Sequence, residues 1–336
     1  MSHTGNSLDD AGDDPGDEAE DGTGDNMAHG LRNFRWEDLS ALLDARLAVT
    51  GESAPEYDRA LARTRIWLEM PGVDPEHNVF VSDAEEGLAG CATAKPELDI
   101  GRVVGELGVV PHYRGQGLGR VLLHRIVAHS TDIGAPAVHV SADWKDDGLK
   151  GLLGSEGFRH VRTFNRLRYR PAPAYLGADY RPLPPGVSLR PFELGQDEET
   201  LAEVQNDTFR GSWGFSPNTK EEIQAYISLR GSAPEDILFA VDEQSGEVMA
   251  YVWTALTRQN GETVGTIAMT GVCPNARGTG LGAAIVGVGV RRLRERGAGA
   301  VILEVDQENK PARRIYRDLG FRKVGEVHWH EKRLDI

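Results

Sequence analysis

A stretch of about 160 residues occurs twice in this 336-residue chain. Leu31-Arg32-Asn33-Phe34 is echoed by Leu189-Arg190-Pro191-Phe192. Val109-Val110-Pro111-His112-Tyr113-Arg114-Gly115-Gln116-Gly117-Leu118-Gly119 is echoed by Val272-Cys273-Pro274-Asn275-Ala276-Arg277-Gly278-Thr279-Gly280-Leu281-Gly282. Gly157-Phe158 is echoed by Gly320-Phe321, and the interval from Gly115 to Gly157 equals that from Gly278 to Gly320, 42 positions. A repeat of domain length excludes the short-period solenoids and calls for two copies of one fold. Between the copies stand Arg170-Pro171-Ala172-Pro173 and Arg181-Pro182-Leu183-Pro184-Pro185-Gly186. Proline this dense cannot lie inside a helix or a central strand. The expected organisation is an acidic tail over 1–27, a first domain over 28–170, a linker over 171–186 and a second domain over 187–336.

Composition narrows the class. The formal net charge is −15, and residues 1–30 hold nine acids with no Lys or Arg, so the rest carries −6. The tail has too little apolar surface to offset the entropy of ordering, so it reads as a disordered, solvating extension. An acidic body argues against nucleic acid as a partner. No run approaches the ~20 apolar residues of a membrane span, and no start resembles a secretion signal. Two cysteines, Cys91 and Cys273, make neither a disulfide scaffold nor a metal cluster. The expectation is a cytoplasmic protein, with no metal and no membrane partner.

Each copy has one layout, clearest in the second. A short strand near Leu189 is followed by helices over 198–207 and 220–229, and strands over 237–241 and 247–256 flank the turn signal Asp242-Glu243-Gln244-Ser245-Gly246. A strand over 265–272 leads into the glycine loop; a helix over 281–296, a strand over 300–305, a helix over 310–319 and a closing strand over 321–334 complete it. The fold class is α/β (α+β), each copy a mixed, mostly antiparallel twisted sheet flanked by helices.

Glycines let the loop turn tightly and let a ligand approach its amides. The helix start behind it presents unpaired N–H groups and partial positive charge, which suits phosphate. Arg114 and Arg277 add formal charge beside it. A P-loop would need Gly-Lys-Ser/Thr, which neither copy has. A dinucleotide fold is mimicked by Gly278, Gly280 and Ala283, with Glu304 21 residues beyond. The first copy, however, puts Arg120 at the third small position, and about 55 residues after the second loop are too few for a doubly wound sheet.

A strand ending in Val-x-Pro, then Arg-Gly-x-Gly-Leu-Gly, helix, strand, helix and Gly-Phe resembles the GNAT family of acetyl-CoA-dependent N-acetyltransferases, over both copies. The resemblance implies that the amides of Arg277, Gly278, Thr279, Gly280, Leu281 and Gly282 hold the coenzyme A diphosphate. Arg114, Gly115, Gln116, Gly117, Leu118 and Gly119 correspond in the first copy. It implies further that Met269, Thr270, Gly271 and Val272 pair with the pantetheine arm, with Asn309 also at the coenzyme site. Tyr316, four residues before Gly320, stands where the family has the tyrosine that protonates the leaving thiolate. An unperturbed phenol is protonated at neutral pH and can serve as that acid.

The copies are not equivalent. The offset that finds Tyr316 finds Leu153 in the first, which cannot donate a proton, and the helix there carries Gly148, Gly151 and Gly154, each weakening it by about 1 kcal/mol relative to Ala. The first copy therefore reads as structural or regulatory and the second as catalytic. Glu262, Glu304 and Asp306 are possible bases for the incoming amine, the last two on one face of a strand. His328 and His330 alternate on the last strand without a third metal ligand. Arg210 and Trp213, in Thr208-Phe209-Arg210-Gly211-Ser212-Trp213-Gly214-Phe215, are candidates for the small-molecule amine, with Phe209 and Phe215 packed as core. The tandem layout and this aromatic stretch resemble the mycothiol synthase branch of the family, which acetylates a cysteinyl amine; where that branch has a glutamate early in the strand before the second loop, this chain has Thr266. A non-catalytic acyl-CoA sensor is the alternative. Two copies in one chain suggest a monomer with an internal pseudo-dimer, or a weak homodimer.

Overall fold

A computed structural model of the protein describes residues 30–54, 56–170, 181–230, 232–259 and 261–335. The acidic tail and most of the proline-rich linker lie outside the described residues. The first half runs β1 (Leu31–Asn33), α1 (Leu39–Thr50), α2 (Tyr57–Leu68), α3 (Pro75–Asn78), β2 (Val79–Asp83), β3 (Leu88–Glu97), β4 (Arg102–Val109), α4 (Leu118–Asp132), β5 (Ala137–Asp143), α5 (Asp147–Ser155) and β6 (Arg159–Tyr169). The second runs β7 (Val187–Pro191), α6 (Glu198–Phe209), α7 (Lys220–Arg230), β8 (Ile237–Asp242), β9 (Val248–Gln259), β10 (Glu262–Val272), α8 (Leu281–Glu295), β11 (Ala300–Asp306), α9 (Lys310–Asp318) and β12 (Arg322–Arg333).

The opening echo of the sequence is an ion pair made twice. Arg32 grips Asp38 through two nitrogens at 2.6 and 2.8 Å, and Arg190 grips Asp197 at the same two distances. Each carboxylate also accepts a backbone N–H, from Arg35 and from Glu193, so the pair fixes the first strand to the first helix of its half.

Alternation along the strands divides the core into two layers per half. In the second half Ala250 and Val252 of β9 face α8 and α9, while Tyr251 and Trp253 face α6 and α7. In the first, Phe80 of β2 faces α4 and α5, while Val79 and Val81 face α1 and α2.

The mixed, mostly antiparallel character expected of each half is present, and the two half-sheets are joined into one. The strand order is β1-β2-β3-β4-β5-β12-β6-β11-β10-β9-β8-β7. The closing strands are exchanged: β6 of the first half pairs with β11, from Val301↔Tyr169 to Asp306↔Phe164, and β12 of the second pairs with β5, from Val327↔Asp143 to Arg333↔Ala137. β6 and β12 pair with each other in the centre. Each half thus borrows its last strand from the other.

Candidate active site

Parallel pairing of β10 with β11 covers only Val264↔Ala300, Gly265↔Val301 and Thr266↔Ile302. Beyond it β10 stays paired to β9 as far as Val272, and β11 to β6 as far as Asp306. The facing edges of the two strands therefore diverge with their backbone groups unpaired toward each other, a wedge that an extended ligand can enter as an added strand. β4 and β5 open in the same way after Gly105↔Val140. Thr266 marks the apex of the second wedge.

The glycine loop closes the mouth. Gly278 and Gly280 have φ of +82° and +90°, a region that L side chains rarely adopt. Gly280 is also the N-cap of α8 and offers no side-chain cap; Leu281 N–H reaches Thr279 Oγ1 at 3.4 Å, and Gly282 N–H is left for a ligand. Gly115 and Gly117 repeat this with φ of +77° and +86°. The loop arginines act as braces. Arg277 donates to the carbonyls of Val272 (3.2 Å) and Thr208 (2.9 Å), and Arg114 to those of Val109 (3.0 Å) and Val49 (3.2 Å). Each ties the end of a strand to the end of a helix. Gly271 is required there, since a Cβ would lie 2.6 Å from Thr208 Oγ1.

Tyr316 lies on α9, whose first turn is held by Asn309 Oδ1 accepting from Ala312 N–H at 3.1 Å. That is a helix cap, so the structure assigns Asn309 a local role beside the site. Tyr316 is buried in the cluster that joins β10, β11, α8 and α9, with its ring edge-on to Phe321 at 5.8 Å. Its hydroxyl makes no hydrogen bond among the described residues. Burial pushes the phenol up to about 12, so it is protonated at any physiological pH. Leu153 stands in the same surroundings of the first half, fully buried. A second asymmetry was not legible in the sequence: β10 carries a bulge between Ile267 and Met269, whereas β4 pairs with β3 without a shift. Bulges free backbone groups and re-aim side chains beside sites.

The three possible bases meet one row of arginines. Arg162, Arg166 and Arg168 share a face of the exchanged β6. Arg162 holds Asp306 (2.6 Å), Arg166 holds Glu304 (3.0 Å) and Asp143 (2.9 Å), and Arg168 holds Glu262 (2.7 Å). Glu262 also begins β10, the end remote from the glycine loop. The structure does not bring Glu262 to Tyr316, and Glu304 lies on the sheet face opposite Tyr316, since its strand neighbours Leu303 and Val305 are the ones that pack with the phenol.

The segment 210–217 separates two cavities. One, about 620 Å³, is lined by Met269 beside the bulge, Trp253, Tyr226, Glu222 and Arg230, and by Lys95 to Asp99 of the first half. The other, about 780 Å³, is lined by Arg210, Trp213, Arg102, His139 and Glu331. Arg210 is exposed and paired to Asp207 at 2.7 Å. Trp213 packs between the halves, 5.3 Å from His139, 6.1 Å from Phe164 and 5.6 Å from Trp329. Phe209 and Phe215 stack at 5.3 Å. Sequence reasoning missed the first half's share of both cavities, because only the folded sheet brings it there. His328 and His330 lie with His160 in a ring cluster, and no group of His, Cys, Asp or Glu that could hold a metal occurs among the described residues. No described helix is long and apolar enough to cross a membrane.

Comparison with known proteins gives the same two units. The acetyltransferase (GNAT) family pattern matches residues 198–321, and a GNAT acetyltransferase domain pattern matches 75–158. Mycothiol acetyltransferase of Thermobifida fusca is 33% identical over 73% of this chain and 79% of its own; that of Stackebrandtia nassauensis is 31% identical over 77% and 84%. Among solved structures, a GCN5-related N-acetyltransferase from Sphaerobacter thermophilus superposes with a TM-score of 0.66 at 23% identity, over 91% of this chain and 96% of the other. A tandem GNAT protein from the clavulanic acid biosynthesis pathway does so at 0.68 and 15%, over 90% and 98%. These two likenesses show the fold. The chain belongs to the GNAT acetyltransferase family, as a tandem acyltransferase with two such units in one polypeptide.

Proposed function

We propose that the second half transfers an acetyl group from acetyl-CoA to the primary amine of a small molecule, by direct attack while both are bound. One coincidence supports this reading. The open wedge and the glycine-capped helix occur in both halves, but the bulge and Tyr316 join them only in the second. The N–H groups of Gly278 to Gly282 would hold the diphosphate, and β10 from Met269 to Val272 would pair with the pantetheine arm. Backbone N–H freed at the bulge would stabilise charge developing on the thioester oxygen. The amine nitrogen bonds to the carbonyl carbon, the carbon–sulfur bond breaks, and Tyr316 donates its proton to the sulfur. Water in the cavity that reaches Met269 takes the proton of the attacking amine, and solvent returns a proton to Tyr316 when coenzyme A leaves.

The named relatives favour a cysteinyl amine as acceptor, while Thr266 marks a departure at the wedge apex. With exchanged strands completing both halves internally, the chain would act as a monomeric pseudo-dimer in the cytoplasm. The test is calorimetry with acetyl-CoA, then mass detection of product across an amine panel that includes L-cysteinamide. An N-acetylated product is expected. Acetyl-CoA binding with no product on any amine would support a sensor, and no binding would overturn both.

A further inference from the structure

Arg102 opens β4 in the half that lacks the proposed proton donor, yet it is only 6% exposed and each of its three guanidinium nitrogens has a partner. It donates to Glu97 at 2.8 Å within an ion pair, to His139 Nδ1 at 3.2 Å, and to the Gly214 carbonyl at 2.8 Å. Because a guanidinium has no acceptor, His139 Nδ1 accepts, and His139 Nε2–H donates to Glu331 at 2.9 Å. Burial also lowers the imidazole's affinity for a second proton. Two carboxylates thus orient Arg102, one directly and one through a neutral histidine. Over this network lies Trp213, with Arg102 5.5 Å from its ring centre and 5.8 Å from that of Trp329.

Gly214 is built to accept the contact. Its φ is +70°, and a Cβ there would lie 2.7 Å from Arg102 Nη1. The far end of the segment is clasped separately, by Asn206 Nδ2 to the Asn218 carbonyl (2.9 Å) and Asn218 N–H to Asn206 Oδ1 (2.8 Å). Held in its middle at Gly214 and at its far end at Asn218, the segment 210–217 forms the wall between the two cavities, one of which reaches Met269.

We propose that Arg102 of the first half is a positioning residue for the second, clamping residues 210–217 so that the wall of the acceptor cavity is fixed by the half that does no chemistry. The assignment of that cavity to the acceptor rests on the function proposed above; the clamp itself does not. Lysine cannot serve three acceptors in one plane, so Arg102→Lys would release the segment while keeping the charge beside Glu97. Gly214→Ala would push it off by setting a methyl against the guanidinium, with every charged side chain of the network still in place.

The experiment is hydrogen–deuterium exchange of the full chain, resolved by peptide, with acetyl-CoA calorimetry in parallel. Both variants are expected to raise exchange over 210–217 at least tenfold. Protection over 262–272 and 281–295 and the acetyl-CoA affinity should stay within twofold. Unchanged exchange over 210–217 in both variants would overturn the clamp. So would a loss of protection spread through β4 and β5 in both, which would mean that Arg102 only holds the fold. Failure of the wild-type chain to bind acetyl-CoA would instead sink the proposed function, and the exchange result would still decide the clamp.

Discussion

At Tyr316 one environment bears on both the proposed proton donation and stability. An apolar cluster that buries a phenol opposes the phenolate, and here it raises the group from 10 to about 12. The phenol proposed as the donor is therefore held in its protonated form across the working range. Tyr316→Phe should lower kcat by about 10²–10³-fold and leave acetyl-CoA affinity unchanged; equal turnover would remove Tyr316 from the reaction. The same shift has a linkage sign. The folded chain holds this proton more tightly than the unfolded one, so its contribution is complete below pH 10 and is lost as pH rises toward 12. Wild type should lose on the order of 2–3 kcal/mol over that window, and denaturant titrations should show the Phe variant losing less. Glu262 makes the opposite case. Sequence position alone made it a possible base, but it is spent on Arg168. Glu262→Gln should leave kcat within twofold and cost about 1 kcal/mol or less, as expected for a half-exposed ion pair. A hundredfold fall in kcat would restore it as a base.

At the level of elements, what the sequence made legible was local. Helix α8 is announced by Gly280 before it, α9 by Asn309 and Pro311, and the β8–β9 turn by Asp242 to Gly246, so these fell where expected to within a few residues. Each is a decision taken within a handful of neighbours. The glycine loop was legible for the same reason, and it carries its own test. Space around Gly280 is open, so Gly280→Ala adds no clash, only the strain of φ +90°. That strain is about 1–2 kcal/mol and should weaken acetyl-CoA binding roughly tenfold, as read by calorimetry; unaltered affinity would show that the loop's shape is not what binds. The partners of Glu262, Glu304 and Asp306 were not legible. They depend on β6 crossing to the other half, and nothing in the period of β6 says which strand it will meet. The bulge in β10 escaped for a related reason. It is a mismatch in pairing count between β10 and β9, not a residue signature.

The whole molecule is one sheet because its closing strands change places. A second half cut out as 187–336 would lack β6, exposing the edge of β11 and leaving Glu262, Glu304 and Asp306 without their arginines. Unpaired edges of that kind drive association. The full chain should unfold in a single transition with coincident fluorescence and circular dichroism midpoints, and the isolated half should dimerise or aggregate. Two separate transitions would show that the halves fold independently. The exchange also explains why a first half without Tyr316 is still part of the enzyme: it supplies a strand, the arginine row and one side of both cavities. The most direct test of catalysis in the second half is a crystal structure with acetyl-CoA bound. The diphosphate is expected within hydrogen-bonding reach of the N–H groups of Gly278 to Gly282, with the thioester sulfur beside the Tyr316 hydroxyl. A wedge between β10 and β11 left empty, or a sulfur out of reach of that phenol, would contradict it.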